Sequence, residues 1–263
     1  MDSLVKALGY LSLLPNRPQE FFERAIQLIE LRLDRLFRRP PPYQAVNWDS
    51  AIQSIEGHLG HVAGSLSEPA LDRFEEQVHQ RLASIEPLAQ FSLDYCNADL
   101  TLARCCYLVC RLLKPNIVIE TGVAYGVTSA FILMALKEND RGVLHSIDLP
   151  LPGRKAESFV GSAIPEVLKS RWNLHRGFSK HVLPKLLRET ETVDVFVQDS
   201  THTHRNMRRE FETLWPHLRS GGVIIADDIQ GNRAFGELKQ QGLSFQCIVQ
   251  EAEKRALFGV AAK

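Results

Sequence analysis

Apolar positions in the first third of the chain recur at the spacing of amphipathic helices. Between residues 19 and 39 they follow one another at intervals of three and four: Phe22, Ile26, Ile29, Leu33 and Leu36. This period predicts a helix that begins near Pro18 and that the prolines at 40–42 end.

Two further helical patterns follow before residue 95. A weaker one runs from Trp48 to Ala63 and is interrupted by Gly57 and Gly60. A third stripe, started near Ser67 and Pro69 and ended by Pro87, contains Leu71, Phe74, Val78, Leu82 and Ile85. Residues 1–95 are therefore predicted to be a helical segment whose apolar stripes are core or interface. It would act as a lid, cover a substrate or form a dimer.

From residue 96 the period changes, and short β-branched runs alternate with helices. A helix is predicted over Asp99–Leu113, and another from Arg205 to Leu218 that Ser220-Gly221-Gly222 breaks. Strands are predicted at 117–119, 143–147, 174–176, 193–197 and 223–226, with a closing hairpin at 245–249 and 256–260. This alternation predicts an α/β fold with a doubly wound, mostly parallel, Rossmann-like sheet over residues 96–263.

Composition and charge narrow the class of protein. Hydrophobic residues make up 44% and charged residues 24%, as in soluble globular proteins. Because 31 basic residues balance 31 acidic ones, nothing favours nucleic acid as a partner. The longest apolar run, Ala130–Leu136, is far shorter than the ~20 residues of a membrane helix. With no signal peptide and five cysteines that suggest no disulfide framework, a cytoplasmic location is expected.

The first two predicted strands end in candidate ligand-binding residues. After the first comes Glu120-Thr121-Gly122-Val123-Ala124-Tyr125-Gly126-Val127-Thr128, and after the second comes Asp148. Gly122 lets the chain turn tightly, and a carboxylate at Asp148 can accept both hydroxyls of a ribose. The G-x-G-x-x-G spacing is absent, which counts against NAD or FAD. The alternative is that these are ordinary loop residues.

Four motifs together resemble the class I S-adenosylmethionine-dependent methyltransferases, in particular the cation-dependent small-molecule and sugar O-methyltransferases. They are ETGVAYGVTS, SIDLP, VDVFVQDSTHTH and LRSGGVIIADDI, in the expected order. The resemblance implies a seven-stranded sheet whose last strand is antiparallel. It also implies S-adenosylmethionine as cofactor, contacted by Glu120, Thr121, Gly122, Tyr125, Gly126, Thr128, Asp148, Phe178, Ser179 and Asp199. Phe178 departs from the pattern, since many such enzymes carry an Asp there.

Three carboxylates follow the fourth and fifth strands: Asp199, Asp227 and Asp228. The ends of adjacent parallel strands lie about 5 Å apart, so these groups would repel one another unless a cation binds. Oxygen ligands favour Mg²⁺, or Mn²⁺ or Ca²⁺, over zinc. In the alternative interpretation Asp227 or Asp228 caps a turn and Asp199 contacts only the cofactor.

A general base is predicted three residues after Asp199. In the family that the chain resembles, a D-x-x-H at this position supplies the base, which assigns that role to His202. His204 competes with it, and Lys180 is a further candidate. Asp199 is assigned to the catalytic set together with His202.

The sequence thus predicts methyl transfer from S-adenosylmethionine to a hydroxyl of a small molecule, assisted by a divalent cation. A sugar of a secondary metabolite or glycan is the expected acceptor, and a catechol-like phenol is the alternative. Two other functions stay open: an NAD-dependent oxidoreductase and a catalytically idle cofactor-binding subunit. A homo-oligomer formed through the N-terminal helices is a further expectation.

Overall fold

The computed structural model describes residues 9–36, 43–61, 66, 69–85, 100–150, 152, 156–252 and 256–263. The expected helix stop at prolines 40–42, Cys96 and the boundary after residue 95 lie outside these ranges. After a helical stretch at residues 9–11 come four helices: α1 (Pro18–Leu36), α2 (Trp48–Leu59), α3 (Pro69–Ile85) and α4 (Leu100–Leu113). The Asn47 side chain accepts a hydrogen bond from the Ser50 amide and so caps α2, which ends at Gly60.

Strands and helices then alternate. The strands are β1 (Ile117–Thr121), β2 (Val143–Asp148), β3 (Trp172–Arg176), β4 (Val193–Gln198), β5 (Leu218–Ala226), β6 (Phe245–Gln250) and β7 (Leu257–Ala262). Between them lie α5 (Val127–Glu138), α6 (Ala156–Phe159), α7 (Ser179–Thr190), α8 (His204–Leu214) and α9 (Ala234–Glu237), with short 3₁₀ turns.

One seven-stranded sheet has the order β3-β2-β1-β4-β5-β7-β6. Its first five strands pair in parallel, and β7 pairs antiparallel with both β5 and β6. The predicted fold class is therefore confirmed. The strand order reverses between β1 and β4, so the carboxyl ends of these two strands form the crevice where such sheets bind ligands.

Apolar cores cover both faces of the sheet. On one face, α2, α3, α4 and α5 contribute Ile55, Phe74, the three cysteines of α4 and most of α5. On the other, α7 and α8 pack through residues such as Leu183 and Phe211. The stripes of α2 and α3 are thus core, as predicted, whereas the stripe of α1 belongs to neither cluster.

The predicted end of the helix 205–218 and the predicted start of the fifth strand were both wrong. The helix ends at Leu214, and β5 begins at Leu218 and includes Gly221 and Gly222. The pairing of β4 with β5 shifts register between Val193 and Val195, and Gly221 has a φ of +70°. The two glycines therefore form an irregularity inside the strand instead of a break before it. No helix among the described residues is long and apolar enough to cross a membrane.

Candidate active site

The turn after β1 lies in direct contact with the segment after β4. Gly122 has a φ of +88°, and a Cβ atom there would lie 2.0 Å from the carbonyl oxygen of Asp199. Gly126, with a φ of +86°, begins α5, and its own Cβ would lie 2.8 Å from the Cα of Gly161. Only glycine fits this backbone conformation at this close approach.

Asp148, at the end of β2, holds the same turn from the other side. Its Oδ2 accepts hydrogen bonds from the backbone amides of Val123 (2.8 Å) and Ala124 (3.0 Å). Burial raises the pKa of Asp148, while these amides and Arg24 oppose that rise. The carboxylate therefore fixes the turn at the very place where it was predicted to bind a ribose.

Glu120 is fully buried beneath the turn, on the side of α5. Its Oε2 accepts hydrogen bonds from Ser129 Oγ (2.6 Å) and Ser146 Oγ (2.7 Å). Burial raises the pKa of Glu120 to about 7, partly offset by those two hydroxyls. This position indicates that the side chain braces β1, β2 and α5. Tyr125 and Thr128, also predicted to contact the cofactor, are buried as well.

A cavity of about 280 Å³ opens beside the turn. Four of the predicted cofactor residues line it: Gly122, Asp148, Phe178 and Ser179. Ser200 and Thr201 line its far side, next to Asp199. The roof comes from α1, which contributes Glu23, Ile26, Gln27 and Glu30. The sequence placed no individual residue of α1 in a site.

A second buried carboxylate, Glu210 of α8, lies under this cavity. It accepts hydrogen bonds from Thr121 Oγ1 (3.1 Å), Ser200 Oγ (3.0 Å) and Asn206 Nδ2 (3.1 Å). Burial raises the pKa of Glu210, and these donors and Ser179 oppose that rise. Donors from four separate segments thus converge on one side chain. Sequence reasoning missed it, and the signal was a single acid within the arginine-rich start of α8.

The structure brings together two of the three predicted metal ligands, Asp199 and Asp227, with His202 in the place expected for Asp228. One ligand atom each from Asp199, His202 and Asp227 lies within 4.8 Å of the others. Asp228, the third predicted carboxylate, is outside this group, although its Oδ2 is 3.9 Å from His202 Nε2. Its backbone has a φ of +49°, which turns the chain right after Asp227.

The cluster offers two carboxylates and one imidazole nitrogen. His202 Nε2 lies 3.7 Å from Asp199 Oδ1. Burial raises the pKa of Asp227, and His202 opposes that rise. Asp227 Oδ1 and His202 Nδ1 are buried and make no hydrogen bond to any described residue. A buried carboxylate oxygen with no donor is the kind of atom that a cation would satisfy.

The two competing bases have different partners. Thr203 caps α8 by accepting from the Asn206 amide, and His204 is the first residue of that helix. His204 Nε2 binds both oxygens of Glu237 at 3.0 Å, away from Asp199. Lys180 forms an ion pair of 3.5 Å with Glu23 of α1. Among the three candidates, only His202 lies with the carboxylates of the cluster.

The central part of the chain matches a known family. Residues 119–229 match the family described as "Methyltransferase domain". The L-olivosyl-oleandolide 3-O-methyltransferase of Streptomyces antibioticus is 28% identical over 88 residues, 34% of this chain. The chain spans only about 20% of the length of that relative.

Solved methyltransferases share the fold. The O-methyltransferase TomG from Streptomyces achromogenes, involved in tomaymycin synthesis and solved with S-adenosylmethionine, aligns with a TM-score of 0.55 at 19% identity. The alignment covers 82% of this chain and 96% of that one. The O-methyltransferase from Bacillus cereus, solved with SAH, gives a TM-score of 0.53 at 17% identity, with coverages of 82% and 98%. These structures confirm the fold that the resemblance to class I methyltransferases implies, and residues 119–229 are similar to a methyltransferase domain.

Proposed function

We propose that this methyltransferase domain transfers a methyl group from S-adenosylmethionine to a hydroxyl of a small molecule. A divalent cation and His202 are proposed to assist the transfer. One observation carries the proposal: Asp199, His202 and Asp227 converge at the ends of β4 and β5, and Asp199 lies directly against the Gly122 turn that borders the cavity. A cofactor in the cavity and a hydroxyl at the cluster would then be neighbours, as methyl transfer requires.

The residues around the cavity suit the parts of the cofactor. Asp148 lines the cavity, so its carboxylate stands where the ribose hydroxyls of the cofactor would lie. Phe178 presents an aromatic ring for the adenine, with Ser179 beside it. When bound, S-adenosylmethionine supplies the methyl group on a positively charged sulfur.

The cluster suits activation of the acceptor. Asp199 and Asp227 would hold a cation such as Mg²⁺, with His202 or Asp228 beside them. Such a cation lowers the pKa of a hydroxyl that it binds. His202, in its neutral form, would accept the proton that the hydroxyl loses on methylation. Its Nε2, 3.7 Å from Asp199 Oδ1, is the atom proposed to take this proton.

A sugar is the proposed acceptor class. The Streptomyces antibioticus relative is named as a methyltransferase of an olivosyl group, which is a sugar. Neighbouring hydroxyls of a sugar ring can bind one cation together, which fits an oxygen-rich cluster. The rival oxidoreductase lacks support, because the turn keeps its E-x-G-x-x-x-G spacing and offers no dinucleotide motif.

Chelation and two single variants test the proposal. Transfer from labelled S-adenosylmethionine to a panel of glycosides, followed by mass spectrometry, is expected to show products heavier by one CH₂. EDTA should abolish turnover and Mg²⁺ should restore it. His202→Ala should lower kcat by ~10²–10⁴-fold, the usual cost of losing a general base. His204→Ala is the matched control and should do much less, because its side chain is bound to Glu237.

The same variants separate the two roles open to His202. If His202 is only the base, the Mg²⁺ concentration for half-maximal activity stays unchanged in His202→Ala. If that concentration rises as well, His202 is a metal ligand. Full activity in EDTA would remove the cation from the mechanism. Binding of NAD but not of S-adenosylmethionine, measured by calorimetry, would refute the proposal.

A further inference from the structure

Two histidines face each other on neighbouring strands at one edge of the sheet. His145 lies in β2 and His175 lies in β3, the last strand on that side. Their rings stack, with centroids 5.3 Å apart and planes inclined by 25°. His145 Nδ1 lies 3.1 Å from His175 Nε2. The two imidazoles therefore meet through one nitrogen each.

The register of the two strands explains this contact. In the parallel pairing of β2 with β3, Asn173 is opposite His145 and His175 is opposite Ile147. Side chains two positions apart share a face of a sheet, so both rings lie on the face where Ile147 belongs to the core beneath α7. Strand β1 lies between β2 and β4. The pair is therefore separate from the cluster around Asp199.

Both rings of the pair are neutral at physiological pH. Each side chain is partly buried, and burial is the main cause that lowers the pKa of His145 and the pKa of His175. The ring of His175 lowers the pKa of His145 further, and Glu189 of α7 opposes the fall at both rings. A neutral imidazole is the form that binds metal ions. The pair is thus in the protonation state of a ligand.

The distance between the two nitrogens fits two ligands of one transition-metal ion. Zinc–nitrogen bonds of about 2.0–2.1 Å at a tetrahedral angle place two bound nitrogens about 3.3–3.4 Å apart. The observed 3.1 Å needs only a slight opening to reach that separation. In the neutral pair, one of the two facing nitrogens carries the hydrogen of the contact. That hydrogen would move to the outer nitrogen of the same ring, which frees both facing lone pairs without net release of a proton.

We propose that His145 and His175 form a binding site for a borderline transition-metal ion, represented by Zn²⁺. Imidazole nitrogen suits Zn²⁺, Cu²⁺ and Ni²⁺, whereas Mg²⁺ prefers oxygen ligands. Glu189 would partly offset the charge of the ion, and water would complete its coordination. The two ligands lie three residues before Asp148 and Phe178, so the ion would join β2 to the edge strand β3 where both lead into the cavity. This site does not depend on the proposed function.

Calorimetric titration with Zn²⁺ near neutral pH tests the site. The wild-type protein is expected to bind one more Zn²⁺ ion than either His145→Asn or His175→Asn. His181→Asn is the matched control, because His181 lies on α7 and pairs with Glu23 instead. The control should bind as many ions as the wild type. The additional ion should persist in Asp227→Asn, which removes a ligand of the carboxylate cluster, and excess Mg²⁺ should not displace it.

Nitrogen resonances of the histidine rings give a second measure that does not depend on how a variant folds. In ¹H–¹⁵N spectra of the wild-type protein, Zn²⁺ should shift His145 Nδ1 and His175 Nε2 and leave His181 unchanged, while Mg²⁺ should shift neither ring of the pair. Ring resonances of the pair that Zn²⁺ leaves unchanged would overturn the proposal. Equal numbers of bound Zn²⁺ ions in the wild type and in both histidine variants would overturn it as well. Loss of Zn²⁺ only in Asp227→Asn would assign all Zn²⁺ binding to the carboxylate cluster, against the proposal.

Discussion

At the scale of single residues, two buried carboxylates organise the ends of the strands. Glu120 joins β1, β2 and α5 through Ser129 and Ser146, and Glu210 gathers donors from the cavity floor. Neither is placed to meet the acceptor, and both are costly to bury as charged groups. Both side chains fix the relative positions of the segments around the cavity, which ligand binding requires.

Glu120 should make the stability of the protein depend on pH. Its pKa is about 7 in the folded protein, raised from 4.5. The contribution of Glu120 to the free energy of unfolding is therefore fully present below pH 4.5 and is lost as the pH rises through 7. Glu120→Gln, neutral at every pH, should gain stability relative to wild type across that window, by up to about 3 kcal/mol.

Melting temperatures measured from pH 4.5 to 8 check this expectation. Glu166→Gln removes a carboxylate that is 82% exposed and serves as the control for surface charge. A difference between Glu120→Gln and wild type that stays constant with pH would show that Glu120 keeps one charge state throughout.

At the scale of elements, the turn between β1 and α5 decides whether the site forms. Its backbone touches the segment after β4, and a Cβ on Gly122 would collide with the Asp199 carbonyl at 2.0 Å. The amides of the following residues are bound by Asp148. The turn is thus fixed from both neighbouring strands, β2 and β4.

Gly122→Ala should therefore weaken cofactor binding by tenfold or more. The new methyl group would push the turn away from Asp199, and a φ of +88° is unfavourable for alanine. Calorimetric titration with S-adenosylmethionine measures the loss. Gly57→Ala, in α2 with no atom within 4 Å of the added Cβ, is the matched control and should bind normally while gaining some helix stability. Equal affinities in the two variants would contradict the close contact.

At the scale of the whole molecule, charge is divided between residues 1–95, with 9 basic and 13 acidic residues, and the remainder, with 22 and 18. Across this division, Glu20, Glu23 and Glu30 of α1 form ion pairs with Arg176, Lys180 and Arg205. Exposed ion pairs are individually weak and are screened by salt, so α1 should open more easily than the sheet.

Salt should loosen α1 without affecting the sheet. Raising NaCl from about 0.05 to 0.5 M is expected to speed hydrogen exchange at residues 18–36 several-fold and to leave β1 and β4 protected. Arg205→Gln, which removes the contact with Glu30, should have the same effect at low salt. Arg208→Gln is the control on the same helix, since Arg208 pairs with Glu212 within α8. Exchange at 18–36 that is unaffected by salt would show that other contacts hold the roof.

The sequence by itself determined the sheet and placed the candidate site residues at the ends of its strands. Short β-branched runs separated by helices predict a parallel sheet, because the strands of such a sheet are buried on both faces. Gly122, Asp148, Asp199 and Asp227 follow strand ends, and parallel strands bring those ends to one edge. The motifs could be interpreted as those of a methyltransferase because their order along the chain does not depend on how the chain packs.

Only the tertiary structure decided which face of α1 meets the protein and which residues join Asp199 and Asp227 in the cluster. A helical period shows which residues share a face, but not which face meets the protein, so the stripe of α1 could be predicted and its exposure could not. Loops have no fixed period, and therefore the spacing D-x-x-H did not reveal that His202 would stand nearer the group than Asp228. The convergence on Glu210 joins segments far apart in sequence, and such contacts exist only once the chain has folded.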